Sequence, residues 1–359
     1  MVFSRATGSA TGGAERASGR LGARAAAATA LVLLAAAPAA VGDGRLLREV
    51  VFTDDTELAS NSELARRLLS PLAAARLAEG VRRAGGTMAG QPIRIADERF
   101  LVYLPSRPLA SGYALLVFVP PWEDARLPQV WGDVLDRAGM IFVSAARSGN
   151  SASVIGRRAP LALLAARNLM NRHAVDPARV YVAGFSGGAR VALRLALGYP
   201  DLFRGAILNA GSDPIGTRDV PLPPRDLLYA FQTSSRLVFV TGERDTAHAA
   251  DDLVSARSLR QWCMFHGDGF LQARAGHEVA MPTALSRALG LLSSELGTDL
   301  EQLAACRAGI DAALDAQLRH IESLVGEGRR PAARKALADA DERYGGLAAP
   351  RSVELASAL

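Results

Sequence analysis

Arg179 to Ala192 reads as a β-branched apolar run that stops at Gly184, presents Ser186, passes Gly187 and Gly188, and continues at helical spacing through Leu193, Leu195 and Ala196. Gly184-x-Ser186-x-Gly188 has the form of a nucleophile elbow, a strand-to-helix turn so tight that a Cβ two residues either side of the serine would strike neighbouring backbone. Such a turn exposes Oγ at the positive end of a helix. The motif is only a hypothesis until its surroundings agree, and here a strand-forming run precedes it and an amphipathic helix follows. The competing reading is a glycine-rich turn without chemistry.

A serine hydroxyl is a poor nucleophile at its own pKa, so it needs a base within hydrogen-bond reach and a third group to orient that base. Among the five histidines, His173 precedes the elbow strand at the wrong end of a parallel sheet, His320 lies far down the chain, and His266 comes before the last strand. His277, in Ala275-Gly276-His277-Glu278, follows that strand directly and lies C-terminal to the serine. The acid should sit just past a strand between the two. Asp245, closing Thr241-Gly242-Glu243-Arg244-Asp245 after Leu237 to Val240, is the choice, with Glu243 and Asp213 as alternatives. Asp251 and Asp252 read as the start of a helix, where carboxylates favour the positive dipole end.

These residues need a scaffold. Tyr113 to Val119, Met140 to Val143, Arg179 to Phe185, Ala206 to Ala210, Leu237 to Val240 and Phe270 to Ala273 are apolar runs separated by helical patterns at about 127–139, 161–173, 252–265 and 282–296. Continuous apolar strands alternating with helices predict an α/β fold with a mostly parallel sheet covered on both faces, whose ligands sit at the carboxyl ends of the strands. Upstream, 57–84 predicts one or two helices, and Ile93-x-Ile95 with Phe100 to Leu104 predicts an antiparallel pair at the sheet edge. The expected boundaries are a catalytic domain over 40–296 and a helical tail over 297–359. The tail predicts a helix pair broken at Gly326 and Gly328, packed on the catalytic domain or offered to a partner.

With these motifs placed, 113–296 resembles the α/β-hydrolase superfamily, in particular extracellular esterases similar to polyhydroxyalkanoate depolymerases and feruloyl esterases. The resemblance rests on Gly184-Phe185-Ser186-Gly187-Gly188, the Gly-x-x-Asp ending in Asp245, and Gly276-His277. It implies hydrolysis of carboxylic esters through an acyl-enzyme: Ser186 attacks, His277 relays the proton, Asp245 steadies the imidazolium, and no cofactor is needed. A peptidase of the same fold and an inactive hydrolase fold kept for binding are the alternatives; too few residues precede Tyr113 for the large gating domain such peptidases carry. Where many of these esterases have His-Gly after the oxyanion-loop strand, Val119 is followed by Pro120-Pro121-Trp122. Proline has no N–H, so the expected oxyanion donors are the backbone of Gly187 and of Trp122. Arg147, Ser148 and Asn150 lie on the same edge, either as substrate contacts or as loop hydrogen bonds. The short, proline-rich connection from Gly211 to Arg236 leaves room for a small cap only, which suits short acyl esters or polymer ends.

Composition bounds the rest. An apolar fraction of 49% with 21% charged residues is globular. Arg5, Arg16, Arg20 and Arg24 ahead of an Ala/Leu/Val run that closes on Ala37-Pro38-Ala39 predict a signal peptide over 1–39 and an exported chain without a lasting membrane span. Those residues contribute three units of the net +5 charge, so basicity is no argument for a nucleic-acid partner. Two cysteines, Cys263 and Cys306, could pair after export.

Overall fold

A computed structural model of the chain describes residues 44–128 and 130–359. The expected signal peptide lies outside the described residues. The strands are β1 (Arg45–Val50), β2 (Phe100–Leu104), β3 (Tyr113–Val119), β4 (Met140–Ala145), β5 (Val175–Phe185), β6 (Gly205–Asn209), β7 (Arg236–Gly242) and β8 (Gly267–Gln272). They form one sheet in the order β1-β2-β4-β3-β5-β6-β7-β8. β2 runs against both β1 and β4, and the remaining neighbours pair in parallel.

The unbroken apolar runs follow from burial on both faces. Side chains alternate across a strand, so Leu115, Val117 and Val119 of β3 enter one core with Val180, Val182, Leu237 and Phe239. Ala114, Leu116 and Phe118 enter the other with Phe142, Tyr181, Val238 and Val240. Helices α1 (Asn61–Leu68), α2 (Pro71–Arg83), α3 (Gly132–Arg137), α4 (Ala159–Arg172), α5 (Gly187–Gly198), α6 (Arg225–Ser234), α7 (Thr246–Gln261) and α8 (Pro282–Leu292) surround it. α4 and α5 cover the first face, and α3 and α8 the second.

Two local expectations need correction. Ile95–Asp97 is a 3-10 turn, and the antiparallel partner of Phe100–Leu104 on the sheet's edge is Arg45–Val50. Pro92 lacks a ladder donor, whereas the charged, half-exposed Arg45–Val50 has an edge strand's polarity and shows no apolar alternation. β5 runs through Asp176-Pro177; Tyr113 pairs with Val175 but Leu115 with Val180, so the extra residues and the proline sit in an irregularity at the strand's start. The helix expected at 127–139 is confined to Gly132–Arg137.

Beyond α8 come α9 (Leu300–Gly326), α10 (Arg330–Tyr344) and a short α11 (Arg351–Ala358) that the tail's periodicity did not announce. Leu314, Leu318, Ile321, Leu337, Tyr344, Leu347 and Leu355 are buried in the same core as the sheet's first face. Asp341 of α10 accepts from Ser70 Oγ (2.5 Å) and from the Leu72 N–H at the start of α2 (3.0 Å). Cys263 and Cys306 are disulfide-bonded, tying the chain just past α7 to α9. Among the described residues, no helix is long and apolar enough to cross a membrane.

Candidate active site

β5 ends at Phe185 and α5 begins at Gly187, which leaves Ser186 at the turn with φ 55° and ψ −124°. For a residue with a Cβ this is a sparsely populated conformation that persists only when its surroundings hold it. The Ser186 N–H is bonded to the Asn209 carbonyl (2.8 Å). The flanking glycines are steric requirements: a Cβ on Gly184 would lie 2.2 Å from the Gly188 carbonyl carbon, and one on Gly188 would lie 2.0 Å from the Val119 oxygen.

His277 follows β8, and Asp245 follows β7 at the N-cap of α7. Ser186 Oγ lies 3.0 Å from His277 Nε2, and His277 Nδ1 lies 2.7 Å from Asp245 Oδ2. The three residues chosen from chain order are therefore one hydrogen-bonded series. Exposure grades along it, from an Asp245 side chain 8% exposed to a His277 side chain 40% exposed, so the base meets solvent and the acid does not. Burial pushes the Asp245 carboxyl up, but hydrogen bonds from His248 and His277 outweigh it and hold the group below the ordinary carboxylate range. It is ionised at neutral pH, as a group that steadies an imidazolium must be. The alternative acids are bonded elsewhere. Asp213 is paired with Arg190 and Arg194, and Glu243 accepts from the Arg274 N–H.

The Pro120-Pro121-Trp122 loop is pinned beside the elbow. Arg158 donates to Pro120 O (2.8 Å) and Asn150 N–H to Pro121 O (3.0 Å). The Trp122 indole lies 6.0 Å from Phe118 and 6.1 Å from Phe185, with the Arg126 guanidinium 4.0 Å above it. Of the three residues past β4, only Asn150 reaches the elbow: its Oδ1 occupies the space a Cβ on Gly187 would need. Arg147 is bonded to Glu98 (2.8 Å), and the Ser148 carbonyl accepts from Arg158 (3.0 Å). Those two are loop supports.

Two residues of the site have no place in the sequence expectations. Asn209, at the end of β6, donates to Val240 O (2.9 Å) and Glu278 O (3.3 Å) and accepts from Ala280 N–H (2.6 Å), which fastens the segment after His277. A polar residue closing an otherwise apolar strand was its one visible signal. His248, one turn into α7, places Nδ1 2.8 Å from Asp245 Oδ1, and its ring stacks on His277 with centroids 4.3 Å apart. The Asp-x-x-His spacing was the signal there.

Asp252, expected at a helix start, is instead buried inside α7. It accepts from Ser212 Oγ and Thr241 Oγ1 (both 2.6 Å) and so fastens α7 to the ends of β6 and β7. Burial, only partly offset by those bonds, pushes its carboxyl up to about 6. An acid whose folded pKa lies above its unfolded value stabilises the fold most below the unfolded value, and that contribution is lost as pH rises through the folded one. Asp252→Asn cannot ionise and is expected to gain roughly 2 kcal/mol on wild type between pH 4 and pH 8. Urea midpoints at the two pH values check this; a difference between variant and wild type that does not change with pH would refute it.

The strand order, the strained serine between β5 and α5, and the acid and base after β7 and β8 together define an α/β-hydrolase fold with a serine-centred site on its carboxyl rim. No family model matches the chain. A curated relative, poly(3-hydroxyalkanoate) depolymerase C from Paucimonas lemoignei, is 48% identical over 44 residues, which is 12% of this chain and 11% of that protein. Among solved structures, S-formylglutathione hydrolase from Staphylococcus aureus is similar with a TM-score of 0.44 at 13% identity, over 55% of this chain and 93% of that one. A ferulic acid esterase is similar at 0.42 and 15%, over 55% and 92%. A puromycin-hydrolyzing peptidase from Mycobacterium tuberculosis is similar at 0.39 and 16%, over 56% and 38%.

Proposed function

We propose that this chain is an exported serine hydrolase that cleaves carboxylic esters through an acyl-enzyme. The observation that carries the reading is the continuous hydrogen-bonded series from Ser186 Oγ through His277 to Asp245. In the first half-reaction Oγ adds to the ester carbonyl as its proton passes to His277 Nε2. The imidazolium then returns that proton to the departing alkoxide, leaving Ser186 acylated. Water repeats the sequence in reverse roles: its proton passes to His277 as its oxygen adds to the acyl carbon, and His277 returns that proton to Ser186 Oγ as the acyl–Oγ bond breaks and the acid is released. Asp245 holds the tautomer with hydrogen on Nδ1 and stabilises the cation.

The Gly187 N–H opens α5 and has no helical partner of its own, so it is the first oxyanion donor. The Trp122 N–H, the first the chain offers after two prolines, is the second. The solvent-exposed imidazole suits a short acyl ester or the accessible end of a polyester. The short match to a poly(3-hydroxyalkanoate) depolymerase points to the same bond type. Export is supported by the disulfide, since such bonds persist in oxidising compartments.

The test is a series of p-nitrophenyl esters from acetyl to dodecanoyl with wild type and Ser186→Ala, alongside labelling by a fluorophosphonate. Activity on short chains, its loss in the variant, and label on Ser186 are expected. Hydrolysis that survives the substitution would refute the mechanism.

A further inference from the structure

Building on the Ser186-His277-Asp245 reading, we propose that His248 is a positioning residue of this site, which locks the Asp245 carboxylate in one plane. A carboxylate held by a single donor can swing about its Cβ–Cγ bond. Here each oxygen has its own imidazole: Oδ2 takes His277 Nδ1 at 2.7 Å and Oδ1 takes His248 Nδ1 at 2.8 Å. Any rotation that frees one oxygen loses a hydrogen bond. Both bonds require hydrogen on Nδ1, which leaves His277 Nε2 with its lone pair toward Ser186.

Stacking adds a second restraint. The His277 ring has His248 at 4.3 Å and 23° and Phe185 at 4.8 Å and 35°, so it is packed by two rings as well as bonded at both nitrogens. His248 itself is carried by the first turns of α7, which Asp252 anchors from one turn further on.

The experiment compares wild type, His248→Ala and His248→Asn, whose side-chain amide offers an N–H close to the position of Nδ1. The alanine variant is expected to lose about 10-fold in kcat with little change in KM, because the base is misoriented while the cleft is intact. Asparagine should restore most of kcat. An asparagine variant no better than alanine would overturn the proposal.

A readout that needs no turnover separates this from failure of the hydrolase reading. Proton NMR of wild type should show two strongly downfield imidazole N–H resonances and of His248→Asn only one. A single resonance in wild type would overturn the role of His248 whether or not esters are cleaved. Lack of fluorophosphonate label on wild-type Ser186, with both resonances present, would count against the hydrolase reading alone.

Discussion

Asp245→Asn is expected to lower kcat by about 10³–10⁴ while leaving substrate affinity nearly unchanged, as loss of a buried triad carboxylate does in serine hydrolases of unrelated fold. Two consequences of the geometry combine. The amide carries no charge to stabilise the imidazolium, and it has one acceptor oxygen where two imidazole N–H groups now find one each. If the oxygen stays with His277, the amide NH₂ faces His248 Nδ1, which must give up its hydrogen; in the flipped rotamer His277 takes the wrong tautomer. The loss should therefore shrink when Asp245→Asn is combined with His248→Ala, because the competing donor is gone. Steady-state kinetics on a p-nitrophenyl ester decide the point, and a decrease of less than tenfold would remove Asp245 from the mechanism.

The second large effect concerns stability. Replacing Cys306 by serine, with Cys263 also changed so that no free thiol remains, is expected to lower the free energy of unfolding by about 2–4 kcal/mol. The bridge closes a loop of 43 residues that contains β8, the His277 segment and α8, and it joins the chain past α7 to the first tail helix. Without it, the unfolded chain gains the entropy of that loop, and the tail is held by packing and polar contacts, among them Trp262 against Tyr344 and Arg307 on Gln232. Urea unfolding with and without reductant measures the difference. Identical midpoints would show that the apolar contacts of α9 and α10 suffice.

Much of this molecule was legible in order of residue types. β3, β4 and β7 read directly from their composition because both faces are buried, so their central positions had to be apolar. The elbow was legible because its glycines answer a steric demand made by residues within four positions along the chain and by the neighbouring strand. Chain order selected Ser186, Asp245 and His277, since in a parallel sheet a residue just past a strand's carboxyl end must emerge on the rim. Edge strand β1 was not legible, because an edge needs no apolar alternation and its charges resemble a loop's. Helix α11 escaped because eight residues with little periodicity are too short to show a face.

The amino-acid sequence by itself determined the alternation of strands and helices, the serine of the tight strand-to-helix turn and the positions from which a base and an acid could come, because these depend on local spacing and on burial of whole runs. Tertiary structure alone decided that Asp245 serves two imidazoles, that Asp252 is an interior staple, that Asn209 holds the His277 segment, and that Arg147 supports a loop while Asn150 reaches the elbow. Each of those roles depends on distance and direction between side chains tens of residues apart, and such relations exist only once the sheet has brought its strand ends to a common rim.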